Sequence, residues 1–206
     1  MAKYTHKQAI GRAAAYYRAN PHRFVKDFLH IDLRWFQKIV IYAMNMNPAF
    51  CMIASRGLGK SFLIAIYCCV RCVLYPGTKI CIASATRGQA ANVLEKIRTE
   101  IIPKSNELKC ELKGGDIKIS SSEAIALFKN GSYIKVVTAS DSARGNRANV
   151  LVLDEFRMID KDTIDTVLTK FLTASRQPGY LNKSEYVYLK DQERNRQVYL
   201  SSAYFQ

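Results

Sequence analysis

The sequence predicts an α/β fold with a mostly parallel central sheet flanked by helices, and three observations lead to this prediction. Residues 50–54 form a short apolar run typical of a buried strand, and residues 60–74 form a longer run typical of a buried helix. A second strand and helix follow at residues 79–83 and 89–102. This alternation indicates parallel strands with helices packed on them.

Further elements extend this core at both ends. Residues 5–18, 24–29 and 33–44 are predicted to be helical, so an N-terminal helical segment at residues 1–45 precedes a core at residues 46–206. The whole chain of 206 residues is expected to fold as a single domain.

The second half of the core contains a predicted hairpin. Residues 124–128 and 133–137 flank Asn130-Gly131, and Asn-Gly between two strand-like runs is the strongest short hairpin signal. A third buried strand, a helix and a last short strand are predicted at residues 150–153, 161–173 and 197–200.

The charge balance indicates a polyanionic partner. The chain has 31 basic and 17 acidic residues, a net charge of +14. Nucleic acid is the commonest partner of so basic a protein, although the charge could serve solubility alone. Residues 1–50 contain eight Lys or Arg and two acidic residues, whereas residues 151–180 contain four and five.

The sequence contains no recognisable membrane or export signal. No apolar run reaches the roughly 20 residues of a membrane helix. The N-terminus lacks the apolar segment of a secretory signal, so a cytosolic protein without a membrane partner is expected.

The six cysteines are expected to be reduced thiols in the core, because most of them lie in apolar runs. A zinc site is the weaker alternative, since Cys69 and Cys72 form a single C-x-x-C motif within an apolar helix.

Residues 54–61 match the phosphate-binding pattern G-x-x-x-x-G-K-[ST], except that Ala54 replaces the first glycine. A predicted strand precedes the match and a predicted helix follows it. Backbone N–H groups of such a loop and the helix N-terminus attract phosphates. Lys60 is predicted to reach the β- and γ-phosphates, and the Ser61 hydroxyl is predicted to bind Mg²⁺.

An acidic pair, Asp154-Glu155, ends the third predicted strand. Ligands bind at the carboxyl ends of strands in open α/β sheets. Asp154 is therefore predicted to hold Mg²⁺, directly or through water. Glu155 is the candidate base that polarises the attacking water. The alternative is an acidic loop after a core strand.

Two arginines are candidates for transition-state stabilisation. Arg56 lies within the phosphate loop, where it either stabilises charge on the γ-phosphate or pairs with a local carboxylate. Arg144 precedes Gly145, and it either reaches a neighbouring subunit's nucleotide or is a solvated or DNA-contacting charge. An arginine finger contributes about 10³–10⁵ in rate. The predicted catalytic residues are Lys60, Arg56, Arg144 and Glu155.

Residues upstream of the loop are candidates for contact with the base. The Gln37 amide can pair with both a donor and an acceptor of an adenine edge. Trp35 and Phe36 either stack or fill the core, and core packing is favoured. The residues predicted to bind ATP are Gln37, Ser55, Arg56, Gly57, Leu58, Gly59, Lys60, Ser61 and Phe62.

Together these motifs resemble the N-terminal ATPase domain of the large terminases of tailed phages, which pump double-stranded DNA into an empty capsid. The resemblance spans roughly residues 20–203. Besides the phosphate loop and the acidic pair, it rests on residues 32–37, residues 84–90, residues 130–132, Arg144-Gly145 and Ser201-Ser202-Ala203.

The resemblance implies a P-loop NTPase of the RecA-like ASCE class, which has an additional strand between the strands carrying the loop and Asp154-Glu155. It implies ATP as substrate and Mg²⁺ as cofactor, and hydrolysis that drives translocation of double-stranded DNA into the procapsid. Ser201, Ser202 and Ala203 resemble the coupling motif that links γ-phosphate loss to movement of the DNA grip.

The resemblance also implies partners. The motor would be a ring of five subunits on the portal protein, with Arg144 acting in trans and a small terminase subunit delivering the DNA. It would work in the host cytoplasm, transiently at the portal vertex of the procapsid.

Two departures from the family pattern stand out. Family members continue into a lid and an RNase-H-like nuclease, whereas this sequence ends three residues after Ala203. A motor domain without nuclease activity, and with weak ATPase activity, is therefore expected. Ala54 is the smaller departure. The alternatives are a helicase-like translocase and a nucleotide-binding scaffold without turnover.

Overall fold

The computed structural model describes residues 5–120, 122–139, 145–172 and 175–203. Among these residues, one seven-stranded sheet forms the centre of the protein. Its strands are β1 (Ala49–Ala54), β2 (Lys79–Ser84), β3 (Lys118–Ile119), β4 (Ala124–Leu127), β5 (Tyr133–Thr138), β6 (Val150–Asp154) and β7 (Arg196–Ser202).

The strand order across the sheet is β1-β7-β6-β2-β5-β4-β3. In this order, each strand from β1 across to β5 is parallel to its neighbour. The two remaining pairs, β5 with β4 and β4 with β3, are antiparallel. The predicted α/β class and hairpin are therefore confirmed. The additional strand implied by the resemblance is also confirmed, because β7 lies between β1 and β6.

Helices cover both faces of the sheet. They are α1 (His6–Ala19), α2 (Pro21–Asp27), α3 (Trp35–Met46), α4 (Lys60–Leu74), α5 (Arg87–Lys96), α6 (Asn106–Glu111) and α7 (Lys161–Thr163). Helix α5 continues into a π-helical turn at Ile97–Ile101 and a 3₁₀ turn at Ile102–Lys104. Helix α7 continues in the same way, with a π-helical turn at Ile164–Leu168 and a 3₁₀ turn at Thr169–Phe171. Further 3₁₀ segments lie at Lys113–Gly115, Phe156–Met158, Gly179–Asn182 and Ser184–Glu193.

The alternation of side chains along the strands divides the core into two layers. On one face, Ile80 and Val152 pack in a cluster that includes residues of α2 to α6. On the other face, Cys81 and Leu153 pack with Phe171 and its neighbours in the segment at residues 159–171. Helix α4 is apolar nearly all round because it is buried between the sheet and the N-terminal helices.

Strand β1 differs from its prediction as a buried strand. Alternate residues are exposed, and Ile53 is 56% exposed. The reason is that β1 is an edge strand of the sheet and only one of its faces, with Phe50 and Met52, packs against the core. An apolar run alone does not distinguish a central strand from an edge strand.

The prediction of core thiols is confirmed for Cys68, Cys69, Cys72 and Cys81, which are buried. Burial raises the pKa of the Cys81 thiol to about 11, so this thiol stays protonated at neutral pH. The prediction is wrong for Cys51, on the exposed side of the edge strand, and for Cys110, on the outer side of α6.

Two further predictions need correction. Core packing is wrong for Trp35, which is 75% exposed at the first residue of α3, although Phe36 is half-buried. The helix predicted at residues 161–173 is irregular, because only Lys161–Thr163 is α-helical before the π and 3₁₀ turns. None of the described helices is long and apolar enough to span a membrane.

Candidate nucleotide-binding site

The loop between β1 and α4 has the backbone of a phosphate cradle. Gly57 and Gly59 have φ angles of 86° and 77°, a left-handed conformation that glycine adopts at little cost. Gly59 also caps the start of α4. The first backbone N–H groups of a helix have no intrahelical partner, so they and the helix dipole favour an anion at this position.

The side chain of Lys60 is already directed along this loop. Lys60 is only 8% exposed, and its Nζ donates to the carbonyl oxygens of Ala54 at 3.1 Å and Ser55 at 3.3 Å. Both partners are neutral. A phosphate oxygen would form a stronger, charge-assisted hydrogen bond with the same ammonium group.

Asp154 ends the buried strand β6 and is 5% exposed. Burial and then the neighbouring Glu155 carboxylate raise the pKa of Asp154 to about 6, against the opposing effects of the Glu155 backbone N–H and the Lys60 charge. The charge of Lys60 acts on Glu155 as well. Ala54, before the loop, and Asp154 pair with Ser202 and Leu200 of the same intervening strand, so the phosphate loop and the acidic pair lie at the same end of the sheet.

Glu155 is held by the serines at the end of β7. Its Oε2 accepts from the Ser202 backbone N–H at 2.8 Å and from the Ser201 hydroxyl at 3.1 Å, while its Oε1 accepts from the Ser202 hydroxyl at 2.5 Å. Glu155 has a φ of 50°, which is uncommon for a residue with a side chain. Burial acts to raise the pKa of Glu155, but the hydrogen bonds from Ser202 and Ser201 outweigh it and lower the pKa.

The sheet order explains this contact between segments that are distant in the chain. Strand β7 pairs with β1 on one side, where Ser202 lies beside Ala54, and with β6 on the other, where Leu200 lies beside Asp154. The Ala203 backbone N–H also donates to the Ala54 carbonyl at 3.0 Å. The carboxyl ends of three adjacent strands thus bring the loop, the acidic pair and the serines together at one end of the sheet.

The other residues predicted to bind ATP or to act in catalysis differ in their position and exposure. Gln37 accepts from the Arg34 backbone N–H at 2.9 Å, and its Nε2 would lie 3.8 Å from a Cβ placed on Gly59. Arg56, like Ser55 and Leu58, is exposed, whereas Ser61 and Phe62 are half-buried in the first turn of α4. Arg144 lies outside the described residues.

The donor set suits a hard cation. The Ser61 hydroxyl and the Asp154 carboxylate offer oxygen atoms, which Mg²⁺ prefers, and a bound nucleotide would contribute phosphate oxygens. The sequence analysis missed Arg157, whose Nη1 donates to the Ser202 carbonyl at 3.4 Å. No sequence motif marks this contact, because it depends on the turn after β6.

A strand inserted between the loop strand and the acidic strand separates the additional-strand P-loop NTPases from those in which these two strands are adjacent, and this chain has the fold of the additional-strand class. The family "terminase large subunit, T4likevirus-type, N-terminal" matches residues 51–180. The chain belongs to this family.

Solved structures share this fold. The ATPase domain of the large terminase of Thermus phage P74-26 is similar at 14% identity and a TM-score of 0.59, over 91% of this chain and 72% of that chain. The large terminase of bacteriophage HK97 has 16% identity and a TM-score of 0.59, over 90% of this chain. The chain spans 37% of the HK97 protein. At these identities the likeness establishes the fold. No curated protein matches the sequence.

Proposed function

We propose that this chain is an ATP-hydrolysing motor domain that drives translocation of double-stranded viral DNA into a procapsid. The observation that carries the proposal is that the phosphate loop, the acidic pair and the serines meet at the carboxyl ends of β1, β6 and β7. The strand that precedes the phosphate loop and the strand that ends in Asp154 lie on either side of β7, and Glu155 is bonded to Ser201 and Ser202 of β7. Membership of the terminase family supports the DNA-packaging role.

ATP binds in the loop at residues 55–61. The backbone N–H groups and the N-terminus of α4 hold the phosphates, and Lys60 exchanges its two carbonyl partners for phosphate oxygens. Ser61 and Asp154 hold Mg²⁺, which neutralises charge on the phosphates. Gln37, beside Gly59, contacts the adenine edge.

Glu155 orients the attacking water and accepts its proton as the water oxygen bonds to the γ-phosphorus and the bond to the ADP oxygen breaks. In the described conformation its carboxylate oxygens are engaged by the serines. Hydrolysis therefore requires Glu155 to leave these partners. The hydrogen bonds from the serines lower the pKa of Glu155, so their loss makes the carboxylate more basic and a better proton acceptor. Arg56 stabilises charge on the γ-phosphate.

The Ser201-Ser202-Ala203 segment couples this chemistry to DNA movement, because its hydroxyl groups hold Glu155 in one nucleotide state and release it in another. In the assembled motor, five subunits form a ring on the portal, Arg144 reaches the neighbouring nucleotide, and a small terminase subunit delivers the DNA. The motor works in the host cytoplasm and at the portal vertex. Residues 1–206 act as one domain.

Phosphate release by the full chain tests the proposal. Double-stranded DNA is expected to stimulate release, and Lys60→Ala, which lacks the phosphate-binding ammonium, provides the background. Stimulation by single strands together with strand separation would contradict the proposal in favour of a helicase. Nucleotide binding without release at any protein concentration would contradict it in favour of a scaffold.

Ser202→Ala is expected to raise phosphate release in the absence of DNA by up to about tenfold. The variant loses a hydrogen bond to a charged group, worth about 1.5 kcal/mol, and this loss shifts the population towards free Glu155. Ser201→Ala, which removes only the 3.1 Å bond, is the matched control and should give a smaller rise. A Ser202→Ala protein with normal stability and unchanged or slower release would refute a restraining role for this hydroxyl.

A further inference from the structure

A cluster of buried arginines lies at the opposite end of the sheet from the nucleotide site. Arg71 is in the last turn of α4, Arg196 is the first residue of β7, and Arg176 lies in the irregular segment that precedes this strand. All three are buried, and Arg71 is 3% exposed. Glu193 is the buried carboxylate that accompanies them in the described part of the chain.

Glu193 forms an ion pair with Arg176. Arg176 binds the Glu193 carboxylate through Nε at 2.7 Å and Nη2 at 2.5 Å, and Tyr180 donates to the same carboxylate. Arg196 donates to the Asn47 carbonyl at 2.7 Å. Among the described contacts, the Glu193 carboxylate is therefore bonded to Arg176 and not to Arg71. An uncompensated buried charge is costly, and an arginine cannot lose its proton to avoid that cost.

Arg71 has no carboxylate partner in the described structure. Its guanidinium lies 3.6 Å from the centre of the Tyr75 ring, a cation–π contact that engages the flat face of the group. Its Nε and Nη1 atoms are buried, and no described protein atom accepts a hydrogen bond from either of them. Stacking on Tyr75 thus leaves two donors of a charged group unsatisfied.

Tyr67 presents a third such donor beside Arg71. It lies one turn earlier on the same side of α4, because residues four apart are neighbours on a helix. Its side chain is fully buried, and its hydroxyl has no hydrogen-bond partner among the described residues. Burial raises the pKa of Tyr67 to about 12, although the charges of Arg71 and Arg196 oppose the rise, so the hydroxyl remains a donor at neutral pH.

We propose that a small monovalent anion of the halide class binds between the Tyr67 hydroxyl and the guanidinium edge of Arg71. A halide ion accepts hydrogen bonds from several donors and needs no acceptor in return, which matches donors supplied without a protein acceptor. Its charge compensates that of Arg71.

Thermal unfolding of the full chain without nucleotide tests this site. Sodium chloride replaces sodium gluconate at constant ionic strength, because gluconate is too large for a buried site. The melting temperature is expected to rise by about 3 °C and to saturate, as for a ligand at about ten times its dissociation constant. Tyr67→Phe and Arg71→Met should lose the rise, and Arg98→Met, which removes a surface partner of Glu95, should keep it.

An equal rise in Arg71→Met and the wild-type protein, or no rise in the wild-type protein, overturns the proposal. The second outcome would indicate that water satisfies these donors. Anomalous diffraction from crystals soaked in bromide provides an independent test if Arg71→Met does not fold. A bromide peak between Tyr67 Oη and Arg71 in the wild-type protein, lost in Tyr67→Phe, supports the site, and its absence from the wild-type protein overturns it. Neither test depends on ATP hydrolysis.

Discussion

Glu155→Gln should bind ATP with nearly unchanged affinity and hydrolyse it about 10²–10⁴-fold more slowly than the wild-type protein. The amide cannot accept a proton from the attacking water, while the loop, Lys60 and Asp154 are unchanged. Single-turnover phosphate release gives the chemical rate, and equilibrium titration with labelled ATP gives the affinity. The two measurements together separate a loss of catalysis from a loss of binding.

A matched control for this substitution is Glu123→Gln. Glu123 pairs with Lys118 at 2.7 Å on the surface, away from the strand ends that form the site. This variant should hydrolyse ATP at the wild-type rate. Turnover close to wild type in Glu155→Gln would remove Glu155 from the chemical step. A parallel loss in the control would show that the effect is not local.

Asp154→Asn is expected to abolish hydrolysis and, at the same time, to stabilise the nucleotide-free protein. Because the pKa of Asp154 is raised from 3.8 to about 6, the folded state binds a proton more tightly than the unfolded state. The wild-type protein should therefore lose stability as the pH rises from about 4 to about 6. At pH 7 the full penalty, about 3 kcal/mol, is present, and the neutral amide avoids it.

Thermal or urea unfolding between pH 4 and pH 7 measures this effect. The advantage of Asp154→Asn should grow with pH and reach roughly 6–12 °C in melting temperature at pH 7. Asp32→Asn is the control, because Asp32 is exposed and forms only a surface ion pair with Lys26. A variant that is no more stable than wild type at pH 7 would show that the Asp154 carboxylate is already compensated in the folded state.

Local sequence signals predicted much of the fold. The helix predicted at residues 60–74 has the bounds of α4, because a loop glycine precedes it and Pro76-Gly77 follows it. The Asn130-Gly131 turn correctly identified the hairpin of β4 and β5. The edge position of β1 was missed, because strand order depends on pairings between distant segments. Trp35 was misplaced for a similar reason, since the sequence does not show which side of α3 meets the core.

The candidate site was predictable in composition but only partly in geometry. The loop and the acidic pair follow from motifs that contain their own structural context, a strand before and a helix or turn after. The hydrogen bonds from Ser201 and Ser202 to Glu155 do not, because they require β7 to lie between β1 and β6. The sequence contained one signal of the arginine cluster, which is the presence of Arg71 within an otherwise apolar helix.

The two-sided pairing of β7 determines which partner moves when Glu155 and the serines separate. Ser201 and Ser202 pair with Ile53 and Ala54 of β1, so displacing the serines would break backbone hydrogen bonds to β1. The residues of β7 that precede them, as far as Leu200, are paired with β6 as well. Glu155 lies just beyond β6, where rotation about a few backbone bonds can swing its side chain. We therefore expect the two serines to stay in place while the Glu155 side chain moves. Small torsional changes after Asp154 would then be enough to start or stop hydrolysis.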